Sequence, residues 1–114
     1  MTIQRIEPGP RMSGAVIHGN TVYLSGQTGD GADVQAQARS ALAAVDALLT
    51  QVGSSKSKIL QATIWLRDMA DFAAMNTVWE AWIDPANPPT RATGEARLAT
   101  PDLKFEVIIV AALD

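Results

Sequence analysis

One segment near the carboxyl end contains alternating polar residues whose side chains are able to bind a ligand or take part in catalysis. The segment Thr90–Leu98 reads TRATGEARL, and its charged or polar positions are Arg91, Thr93, Glu95 and Arg97. An arginine guanidinium binds a planar carboxylate through two parallel N–H groups. If this polar side meets Glu106 of the neighbouring strand, we expect at least one arginine–carboxylate pair between the two strands, near a subunit boundary. Spacing alone favours a structural role, either an ion-paired interface strand or an edge strand protected by charge.

The other reactive residues give little support for a catalytic centre. His18 is the single histidine and the chain has no cysteine, so it lacks a histidine or thiolate set for a metal. Ser25 lacks the G-x-S-x-G context of a hydrolase nucleophile. The glycine-containing loop Gly29–Gly31 is too short to cradle a phosphate. We therefore predict no metal site.

Composition and charge narrow the function classes further. Hydrophobic residues make up 47% of the 114 residues and charged residues 18%, which predicts one globular domain spanning 1–114. The net charge is −3 and the basic residues are scattered singly, whereas nucleic-acid binding needs them clustered. The first ten residues contain no apolar signal region and no run is long enough to span a membrane. We expect a cytoplasmic protein with neither a membrane nor a nucleic acid as partner.

Hydrophobic periodicity predicts six strands and two helices in the order β-β-β-α-β-α-β-β. The predicted strands are 2–8, 15–18, 21–25, 58–68, 90–100 and 103–113. The predicted helices are 34–52, with Asp33 as its cap and Gly53 as its stop, and 71–83, which three prolines prevent from continuing. This order predicts an α+β sandwich of one sheet and two helices.

The predicted last strand carries large apolar groups on both faces. One face has Phe105, Val107, Ile109 and Ala111, and the other has Lys104, Glu106, Ile108 and Val110. Two helices cover only one face of such a sheet, and a bare apolar face usually associates with another chain. We therefore expect a homo-oligomer with its second sheet face turned inward. A monomer with a few exposed aliphatic side chains stays the alternative.

Several segments together carry a resemblance to a known family. They are Pro89–Ala92 (PTRA), Glu95–Leu98 (EARL), Lys104–Glu106 (KFE), Val22–Gln27 (VYLSGQ) and the long stretch Gly53–Trp82. Together, these segments make the chain resemble the reactive intermediate deaminase family. That family is also called RidA-like or YjgF-like and, by an older name, L-PSP endoribonucleases. The resemblance covers nearly the whole chain.

The resemblance implies a fold, an assembly and a reaction. It implies a chorismate-mutase-like α+β fold, in which one mixed sheet has two helices packed on one face. It also implies a homotrimer whose sheets line a central barrel, with sites in clefts between subunits. Active members of the family hydrolyse 2-imino and enamino acids, such as 2-iminopropanoate and 2-iminobutanoate, to 2-keto acids and ammonia. They use no metal or cofactor, so the implied partners are other subunits and a small imino or keto acid.

By position, the resemblance assigns roles to six residues. Arg91 matches the arginine that holds the substrate carboxylate, and Glu106 matches the glutamate that orients the attacking water. The substrate-binding positions are Ser25, Gly26, Asn76 and Thr93. The prolines just before Arg91 restrict the approach of the chain and fix where the strand begins.

Three departures set this chain apart from the archetypal members. Arg11 stands where a tyrosine is usual, Gly94 stands where a larger apolar residue is usual, and the loop after Gln27 is shorter. They indicate a divergent subgroup, so two other functions stay open. One is a non-enzymatic trimer that binds small carboxylates or regulates metabolism. The other is a ribonuclease, which the net charge of −3 disfavours.

Overall fold

A computed structural model describes all residues, 1–114, and confirms the predicted order of elements. The strands are β1 (Ile3–Ile6), β2 (Ala15–His18), β3 (Thr21–Leu24), β4 (Ile59–Leu66), β5 (Thr90–Glu95) and β6 (Phe105–Ala112). The helices are α1 (Val34–Gln51) and α2 (Phe72–Trp82), and short 3₁₀ turns precede β4 and α2. The main difference in bounds is β5, which ends five residues before the predicted 100.

The six strands form one mixed sheet in the order β1-β2-β3-β6-β4-β5. All neighbouring pairs are antiparallel except β4 and β5, which are parallel. Parallel neighbours need a crossover connection, and α2 supplies it across one face of the sheet. The predicted hairpin between β2 and β3 is confirmed, with Gly19 in its turn at a left-handed φ of 63° that favours glycine.

Local signals define both ends of α1. The Asp33 carboxylate accepts a hydrogen bond from Ala36 N at 2.8 Å and so caps the first turn. At the other end Gly53 has a φ of 82°, and Ser54 N donates to Leu49 O at 2.8 Å. Both end signals were predicted, because capping depends on chemistry within a few residues.

The core lies between the two helices and one face of the sheet. Every second residue of β6 is fully buried on this face: Phe105, Val107, Ile109 and Ala111. Full burial of a phenylalanine side chain stabilises the fold by about 1.5–3 kcal/mol relative to exposure. The other face, here called the open face, has no helix over it and leaves the Tyr23 side chain 48% exposed. The prediction that the helices cover one face is confirmed.

Strand order corrects one expectation from the sequence. β5 lies at the edge of the sheet and pairs only with β4, so its polar side does not meet Glu106 of β6. Arg91 lies opposite Ala62, whose side chain faces the helices, whereas Glu106 lies opposite Trp65 on the open face. The expected pair is therefore absent. The crossover through α2 places β5 outside β4, and alternation within one strand does not encode that choice.

The residues between β5 and β6 form a loop rather than an extension of β5. β5 ends at Glu95, so Arg97 lies in this loop and not on the strand. Arg67 fastens the loop, since its Nε donates to Leu103 O at 2.7 Å and its Nη2 donates to Thr100 O at 2.6 Å. The loop connects the strand that carries Arg91 to the strand that carries Glu106.

Candidate functional site

Glu106 lies on the open face at the start of β6, against the backbone of Gly26. A side chain on Gly26 would overlap the Glu106 carboxylate, so only glycine allows this approach. Hydrogen bonds fix the two segments, because Gln27 N donates to Val107 O at 2.8 Å and Val107 N donates to Gln27 O at 3.0 Å. The Glu106 side chain is half-buried and Gly26 is exposed. The result is a positioned carboxylate beside an accessible stretch of backbone.

Ser25 completes this group, which we call the glutamate cluster (Ser25, Gly26 and Glu106). Ser25 N donates to Gly14 O at 3.0 Å, which ties the cluster to the loop before β2. The Ser25 hydroxyl accepts a hydrogen bond from Gln27 Nε2 at 3.3 Å. A hydroxyl that accepts one hydrogen bond still has its O–H to donate to a ligand.

Arg91 lies on the other side of the sheet, between β5 and α2. Its guanidinium carbon is 5.5 Å from the centre of the Trp79 ring and 5.8 Å from the centre of the Phe72 ring. Burial lowers the pKa of Arg91 and the negative charge of Glu80 raises it, but an arginine stays protonated in a protein. The guanidinium makes no hydrogen bond or ion pair within the chain. Its N–H donors are therefore free to bind an anionic ligand.

Two more predicted residues lie on the Arg91 side. Thr93 follows Arg91 by two positions and shares its face of β5, and its buried Oγ1 has no hydrogen-bond partner. A buried polar atom without a partner is rare and requires an explanation. Asn76 lies about one turn from both Phe72 and Trp79, on the face of α2 that carries the two rings. We call Arg91, Thr93 and Asn76 the arginine cluster.

The structure brings the six predicted residues together as two groups and not as one. The glutamate cluster lies on the open face, and the arginine cluster lies on the helix face. The chain has four surface cavities of about 310–400 Å³, and none is lined by any of the six residues. The largest cavity lies between α1 and α2, around Leu42 and Trp82. A single chain therefore contains both clusters but no cavity that joins them.

The contacts of Arg91 with Phe72 and Trp79 were not predicted from the sequence. Their spacing of seven residues places both rings on one face of a helix, and that was the available signal. Which strand lies under that face is decided by the sheet order, which the sequence did not reveal.

Gln37, a polar residue on the buried side of α1, was not predicted from the sequence either. Only 3% of Gln37 is exposed. Its Nε2 donates to Gly31 O at 3.1 Å and to Asp102 O at 2.9 Å, and its Oε1 accepts from Lys104 N at 2.7 Å. Gln37 thereby joins the loop after β3 to the residues just before β6. The first segment carries Ser25 and Gly26, and the second leads directly into the start of β6, where Glu106 lies.

Two further features concern metal binding and membrane spanning. No group of three or more His, Cys, Asp and Glu side chains is placed to hold a metal ion. His18 is exposed at the end of β2. None of the helices has the length and apolar character needed to cross a lipid bilayer.

Comparison with known proteins decides the family. Residues 2–113 match the model of the family described as Endoribonuclease L-PSP. The chain belongs to the Endoribonuclease L-PSP family. The resemblance predicted from the segments around Arg91 and Glu106 is thereby confirmed.

Curated members of the Endoribonuclease L-PSP family match nearly the whole chain. The RutC family protein YoaB of Escherichia coli is 47% identical over 114 residues, which cover 99% of this chain and all of the relative. A RutC family protein of Haemophilus influenzae is 45% identical over 114 residues, covering 97% of this chain and 98% of the relative. TdcF of Escherichia coli, named as a candidate reactive intermediate deaminase, is 35% identical over 112 residues, which cover 90% of this chain and 86% of the relative.

Solved structures carry the same fold. The crystal structure of NMB1025 of Neisseria meningitidis, a member of the YjgF protein family, matches with a TM-score of 0.98 and 40% identity. The match covers all of this chain and 97% of the other. The mixed sheet with two helices on one face is therefore the fold that this member shares with the YjgF protein family.

The departures of this Endoribonuclease L-PSP member have structural counterparts. A Cβ at Gly94 would lie 2.9 Å from Cζ3 of Trp65, so the indole occupies the space that a larger residue would need. Gly29 and Gly31 pack so closely on the first turns of α1 that a side chain on either would displace the helix backbone or its side chains. Arg11 is exposed in the loop before β2.

Proposed function

We propose that this protein hydrolyses reactive 2-imino acids to 2-keto acids and ammonia, at clefts between the subunits of a homotrimer. The observation that supports this most is the charged Arg91 guanidinium, whose donors have no partner within the chain. A relative that is 35% identical is named as a candidate reactive intermediate deaminase, which points to the same chemistry.

In this proposal Arg91 binds the carboxylate of the substrate. An imino acid has a planar carboxylate next to an electrophilic C=N carbon, and a guanidinium grips such a carboxylate through two parallel hydrogen bonds. The hydroxyl of Thr93, buried two residues further on, then donates to the same ligand and gains the partner that it lacks in the chain alone. The amide of Asn76 lies on the α2 face that borders this position.

Glu106 activates water in the proposed reaction. Its carboxylate accepts a proton from water as the water oxygen bonds to the C=N carbon. That proton passes to the imine nitrogen, which gives a carbinolamine. The carbinolamine hydroxyl then loses its proton to the nitrogen as the C–N bond breaks, and the products are ammonia and the keto acid. Holding the carbon beside a positioned water lowers the entropic part of the barrier. The step needs only the substrate and water.

The reaction requires two chains, because one chain separates its two clusters. Arg91 and Glu106 lie on opposite faces of the sheet, so a site with both takes them from different subunits. The open face offers the contact surface, with Tyr23 48% exposed and Ile108 half-buried. Apolar surface of this kind favours association, and a closed ring of three copies covers the open face of each.

Coupled imine hydrolysis tests the proposal. An amino-acid oxidase generates imino acids from several amino acids, and the protein should convert them to keto acids faster than water alone. Arg91→Ala is the matched control, because it removes the carboxylate contact at a position outside the buried core. Equal rates with and without protein, for every imino acid tested, would exclude deaminase activity.

A trimer that binds small carboxylates without turnover is the second candidate. The unpaired Arg91 and Thr93 Oγ1 support carboxylate binding alone as well as they support imine hydrolysis. Both groups explain how a ligand binds, and neither explains how water attacks it. Keto-acid binding without faster imine hydrolysis would identify this function. A ribonuclease finds no support in the net charge of −3, and salt-sensitive RNA binding would be the observation in its favour.

A further inference from the structure

Two aromatic rings hold the Arg91 guanidinium without using its hydrogen-bond donors. Both ring centres, of Phe72 and of Trp79, lie within the ~6 Å over which a cation is attracted to a ring face. This attraction is electrostatic and needs no donor–acceptor pair. A carboxylate partner within the chain would hold the guanidinium as well, but it would occupy the N–H groups that a substrate needs.

We propose that Phe72 and Trp79 are positioning residues that preorganise Arg91 for a carboxylate ligand. The proposal rests on the proposed function in one respect, that Arg91 binds the carboxylate of the substrate. A free arginine side chain loses rotamer freedom when it binds, and a side chain that is already held loses less. The rings therefore raise affinity for any small carboxylate, whatever its other end.

The two rings differ in how far they belong to the core. Trp79 is 7% exposed and its ring centre lies 5.5 Å from that of Trp82, so changes at Trp79 also disturb packing. Phe72 is the first residue of α2 and is 38% exposed. Replacing Phe72 removes a ring from Arg91 with little effect on the core. Phe72 is thus the position at which positioning and folding are separable.

Titration of pyruvate and 2-ketobutyrate into the wild type, Phe72→Leu and Phe72→Tyr tests the proposal. Leucine keeps the apolar bulk without the π face, and tyrosine keeps both. Phe72→Leu should lower the affinity for both keto acids by the same factor, roughly two- to five-fold. Phe72→Tyr should bind like the wild type, and the melting temperatures of all three should agree. In imine hydrolysis, Phe72→Leu should raise KM and leave kcat unchanged, because it removes binding and not chemistry.

The possible results separate the positioning role from the function beneath it. Wild-type affinity in Phe72→Leu, beside lost affinity in Arg91→Ala, would overturn the positioning role and leave the proposed function intact. A loss confined to 2-ketobutyrate would also overturn it, since the ring would then contact the additional methyl group of the ligand. If the wild type binds neither keto acid, the proposed function itself fails, and the positioning role fails with it.

Discussion

The glutamate cluster and the arginine cluster are built by different kinds of contact. Glu106 lies against a backbone that two reciprocal hydrogen bonds between Gln27 and Val107 hold in place. Arg91 is held by side-chain rings alone, and neither it nor Thr93 Oγ1 has a polar partner. One half of the proposed site is therefore complete in a single chain. The other half has polar atoms whose partners do not lie in the chain.

The largest expected effect belongs to the chemistry of the glutamate cluster. Glu106→Gln should lower the rate of imine hydrolysis by roughly 10²- to 10⁴-fold, the usual contribution of a general base. Keto-acid binding should stay nearly intact, because the carboxylate contact lies in the arginine cluster. Steady-state kinetics beside a keto-acid titration measure both. Unchanged hydrolysis in a well-folded variant would remove the mechanistic role of Glu106.

The arginine cluster should respond in binding rather than in the chemical step. Arg91→Lys keeps the charge but loses the planar fork, which should cost about 1.5–3 kcal/mol, or roughly ten- to a hundred-fold in keto-acid affinity. Arg91→Ala should bind more weakly still, with assembly retained. Calorimetric titration and melting curves separate this from a structural role. A lowered melting temperature with unchanged affinity would mean that Arg91 supports the fold and binds nothing.

A methyl group at Gly26 tests whether the glutamate cluster depends on close backbone approach. Gly26→Ala should push the Glu106 carboxylate aside and lower hydrolysis, with little change in stability because the displaced atoms belong to the end of a flexible side chain. Gly9→Ala is the matched control, because its Cβ would meet only Met12 O, at an ordinary 3.4 Å. Denaturant unfolding and kinetics of both variants check the difference. Equal behaviour of the two would contradict the close approach.

The smallest expected effect concerns the turn that leads into the arginine cluster. Asp84 accepts hydrogen bonds from Asn87 Nδ2, Ala86 N and Ser57 Oγ, and these bonds lower the pKa of its carboxyl, the Asn87 contact most. A pKa lowered by folding contributes stability above the unfolded value of about 3.9, and the contribution is lost as the pH falls through the folded value.

Asp84→Asn should therefore melt slightly below the wild type at pH 7. The difference should shrink as the pH falls below about 4, where the unfolded chain takes up the proton first, and vanish once the pH passes the lowered pKa of the folded carboxyl. Melting curves across this range check the prediction, and keto-acid affinity at pH 7 should not change. A difference in melting temperature that is constant with pH would show that charge at Asp84 plays no part.

Local chemistry explains what the sequence predicted well. Asp33 and Gly53 marked the ends of α1 because capping involves only neighbouring residues. The alternation in β6 predicted both its buried face and the open face, since a strand has a period of two. Six site residues followed from family motifs, and the structure groups them into two clusters.

Nonlocal pairing explains what the sequence did not predict. The order β6-β4-β5 decides that Arg91 and Glu106 lie on opposite faces, and no pattern within β5 or β6 contains that order. The rings at Phe72 and Trp79 likewise met Arg91 only through the crossover that lays α2 over β5. In the sequence, Gln37 is a single polar residue among the apolar positions of α1. Its three hydrogen-bond partners come from two distant loops.

Mixed trimers show most directly whether one site takes Arg91 from one chain and Glu106 from another. Arg91→Ala and Glu106→Gln subunits with different affinity tags are coexpressed, and trimers that carry both tags are isolated. In a ring of three, each mixed composition has one cleft in which an intact arginine meets an intact glutamate. We expect about a third of the wild-type hydrolysis rate in mixed trimers, with neither parent trimer active. Mixed trimers that are no more active than the parents would contradict a site shared between two chains.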